Sequence, residues 1–145
     1  MLGCGDVMGV LFPNADITVY NRYYDNNLGY DRYQRTVIKG VNWQSKRNAT
    51  VSNNGLLLAD STLIFIDKLD NYVSPKRFSK LSDAERKNYF TFASDGDKIV
   101  KGDVSFEVTG ISPYRLADLE NTFDNVIDIK SVNDTLPGHM EVEGV

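Results

Sequence analysis

The feature that most constrains this chain is a series of short stretches in which apolar and polar residues alternate, each bounded by turn-forming residues. Ala15, Ile17 and Val19 alternate with Asp16, Thr18 and Tyr20. A period of two carried by β-branched residues belongs to a strand with one buried face. Asp25-Asn26-Asn27-Leu28-Gly29 then supplies a turn, because Asn, Asp and Gly tolerate turn geometry. A second strand follows over Tyr33–Val41, in which Gly40 marks a bulge or a close backbone approach. Residues 43–57 are polar around Ala49-Thr50-Val51 and contain Asn54-Gly55. That pair is the strongest two-residue hairpin signal in the chain, since a type I′ turn needs positive φ at both central positions. The stretch is expected to project from the sheet as a long hairpin or loop. Ser61–Ile66 is nearly continuously apolar and reads as a central strand buried on both faces.

Residues 74–90 change character. Pro75-Lys76-Arg77-Phe78 reads as one helical turn. Ser82-Asp83-Ala84-Glu85 fits a capping box and predicts a helix over 82–89. Strands then resume at Phe90–Phe92 and Lys98–Val100. Val104–Val108 is expected to pair with the latter across a tight Lys101-Gly102-Asp103 hairpin, with Val104, Phe106 and Val108 facing inward. Leu116, Leu119 and Phe123 lie at helical spacing in 115–123. Ile127 and Ile129 alternate with Asp128 and Lys130 as a last strand, and His139 to Val145 reads as a polar tail. These elements predict a mainly β fold, a small β-barrel or sandwich with one or two short helical insertions. The expected organisation is a leader over 1–12, one domain over 13–134 and a C-terminal tail over 135–145. The leader is expected to be a disordered extension or to precede an alternative start at Met8.

Composition removes several classes of function. No apolar run approaches the ~18 residues of a membrane-spanning helix. One cysteine, Cys4, and one histidine, His139, exclude a disulfide framework and a zinc site built from Cys and His. The net charge of −4 is unevenly placed: residues 117–145 carry seven acids against Lys130, while residues 1–116 are net +2. An acidic C-terminal face beside a mildly basic body suits head-to-tail contact between copies. The 74–90 excursion is locally basic, with Lys76, Arg77, Lys80, Arg86 and Lys87 against Asp83 and Glu85.

The search for catalytic chemistry is negative. The sequence has no phosphate loop, dinucleotide fingerprint, HExxH or GxSxG. With one histidine, a Ser-His-Asp triad is not expected. The carboxylate pairs Asp95/Asp97, Asp67/Asp70 and Asp124/Asp128 are present, but Asp95 and Asp97 fall in a turn signal where hydrogen bonding explains them. A calcium loop opening at Asp95 fails, because Ile99 stands where the fifth ligand is needed. No catalytic residue, cofactor or metal is assigned. Tyr23, Tyr24, Tyr30 and Tyr33 lie among Arg22, Arg32 and Arg35; packing or interface duty is the expected role rather than base stacking. Lys46-Arg47-Asn48 places two cations in the projecting stretch, where they can approach phosphates or simply be solvated.

The order of segments is itself distinctive: Asp16-Ile17-Thr18-Val19-Tyr20-Asn21, then Thr36–Trp43, a polar loop, Ala59–Ile66, Ser74-Pro75-Lys76 and Gly96–Gly102. Over roughly residues 13–134 it resembles the minor-capsid or head-tail joining proteins of tailed phages and prophages of Gram-positive bacteria, in particular the head-closure (stopper) type. The resemblance implies a β-barrel subunit of a homo-oligomeric ring, a hexamer, in the virion neck. Its implied partners are a portal-side adaptor, a tail terminator or tail tube protein, and the packaged double-stranded DNA in the channel. Such a protein is assembled in the host cytoplasm and has no membrane partner. The loop between the second and third strands often points into the channel in these proteins, which makes Lys46, Arg47, Asn48, Asn53, Asn54 and Gly55 the candidate channel residues. Lys76, Arg77, Lys80, Asp118, Glu120 and Asp124 are the candidate inter-subunit residues. The resemblance implies no enzymatic activity. A tail-completion or other minor capsid protein is the alternative of the same kind; a small β-barrel enzyme or nucleic-acid-binding module is the alternative of a different kind.

Overall fold

A computed structural model describes residues 12–52 and 55–145, with the side chains of residues 46–60 outside that description. Expectations about the leader over 1–11 therefore lie outside the described residues. Strand β1 (Ala15–Asp25) buries Ile17 and Val19 completely, as its alternation predicts, but it is not open on its other face: Thr18 and Tyr20 are also at 0 % exposure, covered by the segment over 102–108 and the cluster around Leu119. It ends where the Asp25 carboxylate accepts the N–H groups of Asn27 and Leu28 at 2.9 and 3.0 Å. Gly29, at φ +80°, closes the turn. The chain returns as β2 (Tyr30–Ser52), antiparallel to β1 from Asp25↔Tyr30 to Ala15↔Val41. The bulge expected at Gly40 is present: the register shifts between Ala15 and Ile17, and Gly40 has a φ of +71°. β2 then passes to its other neighbour, β3 (Gly55–Asp67), pairing from Asn42↔Phe65 to Ser52↔Gly55.

After β3 the chain leaves the sheet through α1 (Pro75–Ser79) and α2 (Asp83–Arg86) and re-enters as β4 (Lys98–Lys101), antiparallel to β1. Helix α3 (Leu116–Thr122) precedes β5 (Val126–Asn133) and β6 (His139–Gly144). The described strands close in the order β1-β2-β3-β6-β5-β4, each neighbour antiparallel. The chain is thus a mainly β protein with a closed six-stranded barrel and short helical insertions. Closure places Ile17, Val19, Ile64, Ile66, Ile99 and Met140 inside, all at 0 % exposure. Each such side chain contributes roughly 1.5–3 kcal/mol of burial. A smaller cluster of Tyr20, Val100, Val108 and Leu119 sits outside the barrel under α3.

Several expectations are corrected. The region read as a tail is β6, and it completes the barrel by pairing with both β3 and β5. Met140 and Val142 point inward at 0 % exposure while Glu141 and Glu143 alternate with them. The expected strand at Val104–Val108 does not form, because both sides of β4 are already taken by β1 and β5. The segment crosses outside the barrel, tied down by side chains: Thr18 donates to the Gly102 carbonyl, Tyr20 to that of Phe106 and Arg35 to that of Val104. Val104, Phe106 and Val108 do face inward, toward the smaller cluster. The helix expected over 82–89 stops at Arg86, though its Ser82/Glu85 capping box forms as read. Phe90–Phe92 joins no strand and makes only a bridge between Phe90 and Tyr72. Ser61–Ile66 is not buried equally on both faces: Ile64 and Ile66 are enclosed, while Leu63 and Phe65 are half-buried on the outer wall.

Candidate functional site

The candidate channel residues belong to an arm. β1 stops pairing with β2 at Val41, and β6 stops pairing with β3 at Thr62. β2 and β3 nevertheless stay paired as far as Ser52↔Gly55. Among the described residues, 46–52 and 55–61 therefore form a two-stranded ribbon beyond the barrel. At about 3.3 Å per residue it reaches roughly 20–25 Å. Its root is fixed. Trp43 is 5 % exposed, and its N–H donates to Asn14 Oδ1 at 2.8 Å while Asn14 Nδ2 donates to the Trp43 carbonyl at 3.0 Å. Asn14 thereby ends the β1 ladder with its own side chain. Lys46, Arg47 and Asn48 fall on the β2 side of the arm. Gly55 is the first residue of β3, paired with Ser52, and not the second turn residue that the Asn54-Gly55 signal suggests. Asn53 and Asn54 lie outside the described residues.

The basic candidates lie on the excursion. Ser74 caps α1 by accepting the Arg77 N–H, and Phe78, 4 % exposed, anchors the helix to the body. Lys76, Arg77 and Lys80 are exposed, and none makes an ion pair among the described residues. Arg86 behaves otherwise. It is 8 % exposed, lies 3.6 Å over the Tyr23 ring and donates to Asp83 at 2.8 Å, so it fastens the excursion to β1.

The acidic candidates separate. Asp118 caps α3, accepting the Arg115 N–H at 2.8 Å and Nε at 3.2 Å. Those bonds hold its carboxyl below the usual carboxylate range. Its carboxylate is thus occupied within its own helix. Glu120 pairs with Lys98 at 3.1 Å, and Lys98 also bonds Asp128. Burial works to lower the Lys98 pKa, but those two hydrogen bonds outweigh it and hold the ammonium above its ordinary value. Asp124 is exposed and has no ion-pair partner among the described residues. Glu120, Asp124 and Asp128 line a small, mostly polar cleft of about 220 Å³ together with Phe123, Val126 and Val145.

A second cleft, about 560 Å³, runs between α1 and the β1–β2 hairpin. At its edge sits a group that sequence reading undervalued. Asp97 is 2 % exposed and accepts the Arg22 N–H and Asn21 Nδ2 at 2.8 Å and the Ala93 N–H at 3.0 Å. Asn21 in turn bonds Thr91 through both ends of its amide, at 2.6 and 3.2 Å. Burial is the largest influence on Asp97 and pushes its carboxyl above the usual value against these donors. The network ties the end of the excursion to β1. Turn hydrogen bonding, the expected role, accounts only for the Ala93 N–H; the donors from Asn21 and Arg22 make Asp97 a long-range anchor as well. The tyrosines divide in the same way: Tyr23 packs under Arg86, Tyr33 packs on the outer cluster, and Tyr24 and Tyr30 stay exposed at 58 % and 45 %.

Among the described residues no group of three or more His, Cys, Asp or Glu could hold a metal ion, and no helix is long and apolar enough to cross a membrane. No curated protein and no solved structure matches this chain. A family model does, over residues 12–145, so the chain belongs to DUF6751, a family of unknown function.

Proposed function

We propose that this chain is a virion structural protein, a subunit of a ring in the neck of a tailed phage that closes or gates the DNA channel and joins head to tail. The observation that carries the reading is the arm: a closed barrel with a rooted two-stranded ribbon running roughly 20–25 Å past it. A two-stranded ribbon alone is marginal in water, so it suits a part that finds its neighbours in an assembly and can move there. In a ring the arms converge on the axis, and Lys46 and Arg47 are the cations brought nearest the DNA. The net charge of −4 favours passage over retention, since extensive phosphate neutralisation with counterion release would hold the genome in place. The remaining surface meets the portal-side adaptor above and the tail terminator or tube below.

The test is a deletion of residues 46–55 in the producing phage or prophage. Particles are expected to package DNA and then lose it, read as nuclease-sensitive genome and empty heads by electron microscopy. Particles that keep their DNA would remove the gate.

A further inference from the structure

We infer that the tip of the arm of one copy seats in an apolar cleft at the end of α3 in the next copy, so that neighbouring subunits are joined arm into cleft. The inference rests on the ring reading and supplies a joint which that reading leaves open. Two independent observations carry it, one on each side of the contact. The first is a face of the arm. Ala49 stands opposite Leu58, and Val51 opposite Leu56. Residues opposite each other share a face, and successive residues alternate between faces. Ala49, Val51, Leu56 and Leu58 therefore fall on one face of the ribbon, while Thr50 with Leu57, Asn48 with Ala59 and Ser52 with Gly55 fall on the other. Over 48–59 the sequence has no charged residue and no proline, the residues that usually keep such a ribbon apart from other chains. Among the described residues, β2 and β3 pair only with each other there.

The second observation is a cleft of about 450 Å³ whose exposed lining is mostly apolar. In its wall Phe106 meets Tyr114 and Phe123 edge-on, with ring centres 5.5 and 6.1 Å away. The Thr109 and Gly110 N–H groups close the adjoining loop onto the Tyr114 carbonyl, and that loop leaves Ile111 71 % and Tyr114 48 % exposed. An uncovered apolar surface of this kind marks a contact site. Charge matches as well: Glu107 is the charged residue of the lining, and Arg35 already pairs with it at 2.7 Å. An uncharged tip thus meets a cleft without a free charge. The arm of the same chain cannot fill this cleft. Tyr30 and Arg35, which flank the segment over 104–110, lie at the start of β2, and Val51 lies near its end. At about 3.3 Å per residue the strand from Arg35 to Val51 runs roughly 50 Å, and folding it back would break its pairing with β1 and β3. The occupant is therefore a second copy, which carries the same tip. The two surfaces differ, so the contact is heterologous and closes into a ring or runs on as a filament. Lys46 and Arg47 stand at the root of the arm, outside the contact.

The test uses full-length proteins and sedimentation velocity: the native chain, Leu56→Ser with Leu58→Ser, Leu57→Ser, and Ile111→Asp with Tyr114→Ser. The native chain is expected to associate, and to stay associated as salt is raised, because screening acts on charges and this contact is apolar. The two double variants are expected to associate at least about tenfold more weakly. Leu57→Ser is expected to associate like the native chain, since its position falls on the other face; a general loss of arm structure would weaken it equally. The contact itself is read in a Cys4→Ser background, which removes the chain's one cysteine. Leu58→Cys mixed with Ser105→Cys is expected to give a disulfide-linked dimer with a mild oxidant, a dimer that neither forms alone. Leu57→Ser as weak as the Leu56 and Leu58 pair, or association without the mixed disulfide, would overturn the arm-into-cleft contact and leave the ring reading standing. A native chain that stays monomeric would overturn the contact and count against the ring itself.

Discussion

Asp97 tests how the excursion is fastened to the barrel. Its carboxylate takes N–H groups from Arg22 and Ala93 and the amide of Asn21. Asp97→Ala strands the two backbone donors, whereas Asn21 Nδ2 keeps its second acceptor, the Thr91 carbonyl. Each buried donor left without an acceptor costs about 1–3 kcal/mol, so the expected loss is about 2–6 kcal/mol. That is a large part of the ~5–15 kcal/mol that holds a typical domain together. Asp97→Asn keeps the shape and one acceptor oxygen but turns an NH2 toward a donor, for an expected loss of about 1–3 kcal/mol. Urea titration followed by the fluorescence of buried Trp43 reads both losses. The pH dependence supplies a second, signed test. Burial raises the Asp97 carboxyl. The folded chain therefore keeps this proton at pH values where the unfolded chain has released it, and the group's contribution to stability is lost as pH rises from the unfolded value through the folded one. Asp97→Asn has no such proton, so its deficit against the native chain shrinks from acid to neutral pH. An Asp97→Ala chain within about 0.5 kcal/mol of native, or an Asp97→Asn deficit that widens with pH, would refute the argument.

Two further outcomes test the closure of the barrel. Met140→Ala removes a side chain with no exposure from β6 and is expected to cost about 2–5 kcal/mol, seen as a lower urea midpoint; a tail residue would cost almost nothing. Gly144→Ala places a Cβ 2.6 Å from both the Asp128 carbonyl oxygen and Ile127 Cδ1. It is expected to destabilise by about 1–3 kcal/mol, and an unchanged melting temperature would show that the β5–β6 contact gives way freely.

Period-two alternation made β1 and β5 readable, and turn chemistry made the Asp25–Gly29 reversal and the Gly40 bulge readable. The same alternation stands in Met140-Glu141-Val142-Glu143, but two glutamates and the chain end made it look solvated. Nothing local says that β3 needs a partner along Thr62–Asp67, and that need is what orders β6. The error at Val104–Val108 has the opposite cause. Its alternation is genuine, and its inward residues pack, but the sheet has no vacant edge beside β4. Alternation reports a buried face and not a hydrogen-bonded neighbour. At the candidate site, charge counts picked out Lys76, Arg77 and Lys80 as exposed cations, which they are. They could not separate Asp118, consumed by the α3 cap, from Asp124, which has no ion-pair partner among the described residues. Asp97 was legible as a turn residue but not as a buried anchor, because its donors come from Asn21 and Arg22, more than 70 residues away.

Closure of the barrel also decides where a neighbour can be met. An open sheet offers a strand edge, and a closed one offers none. Along the barrel wall each described strand has a partner on either side. What projects beyond that wall is the arm over 46–61, the α1–α2 excursion and the α3 corner with its acidic cleft. Each is fastened at its base: the arm by buried Trp43, whose backbone Asn14 holds through two hydrogen bonds, the excursion by Phe78, Arg86 and the Asp97 network, and α3 by Leu119. On the excursion Lys76, Arg77 and Lys80, and at the α3 corner Asp124, are exposed and make no ion pair among the described residues. Secured bases hold the excursion and the α3 corner in place before any partner arrives, which lowers the ordering cost of association. In the ring proposed for this chain, that economy would be repeated at each joint.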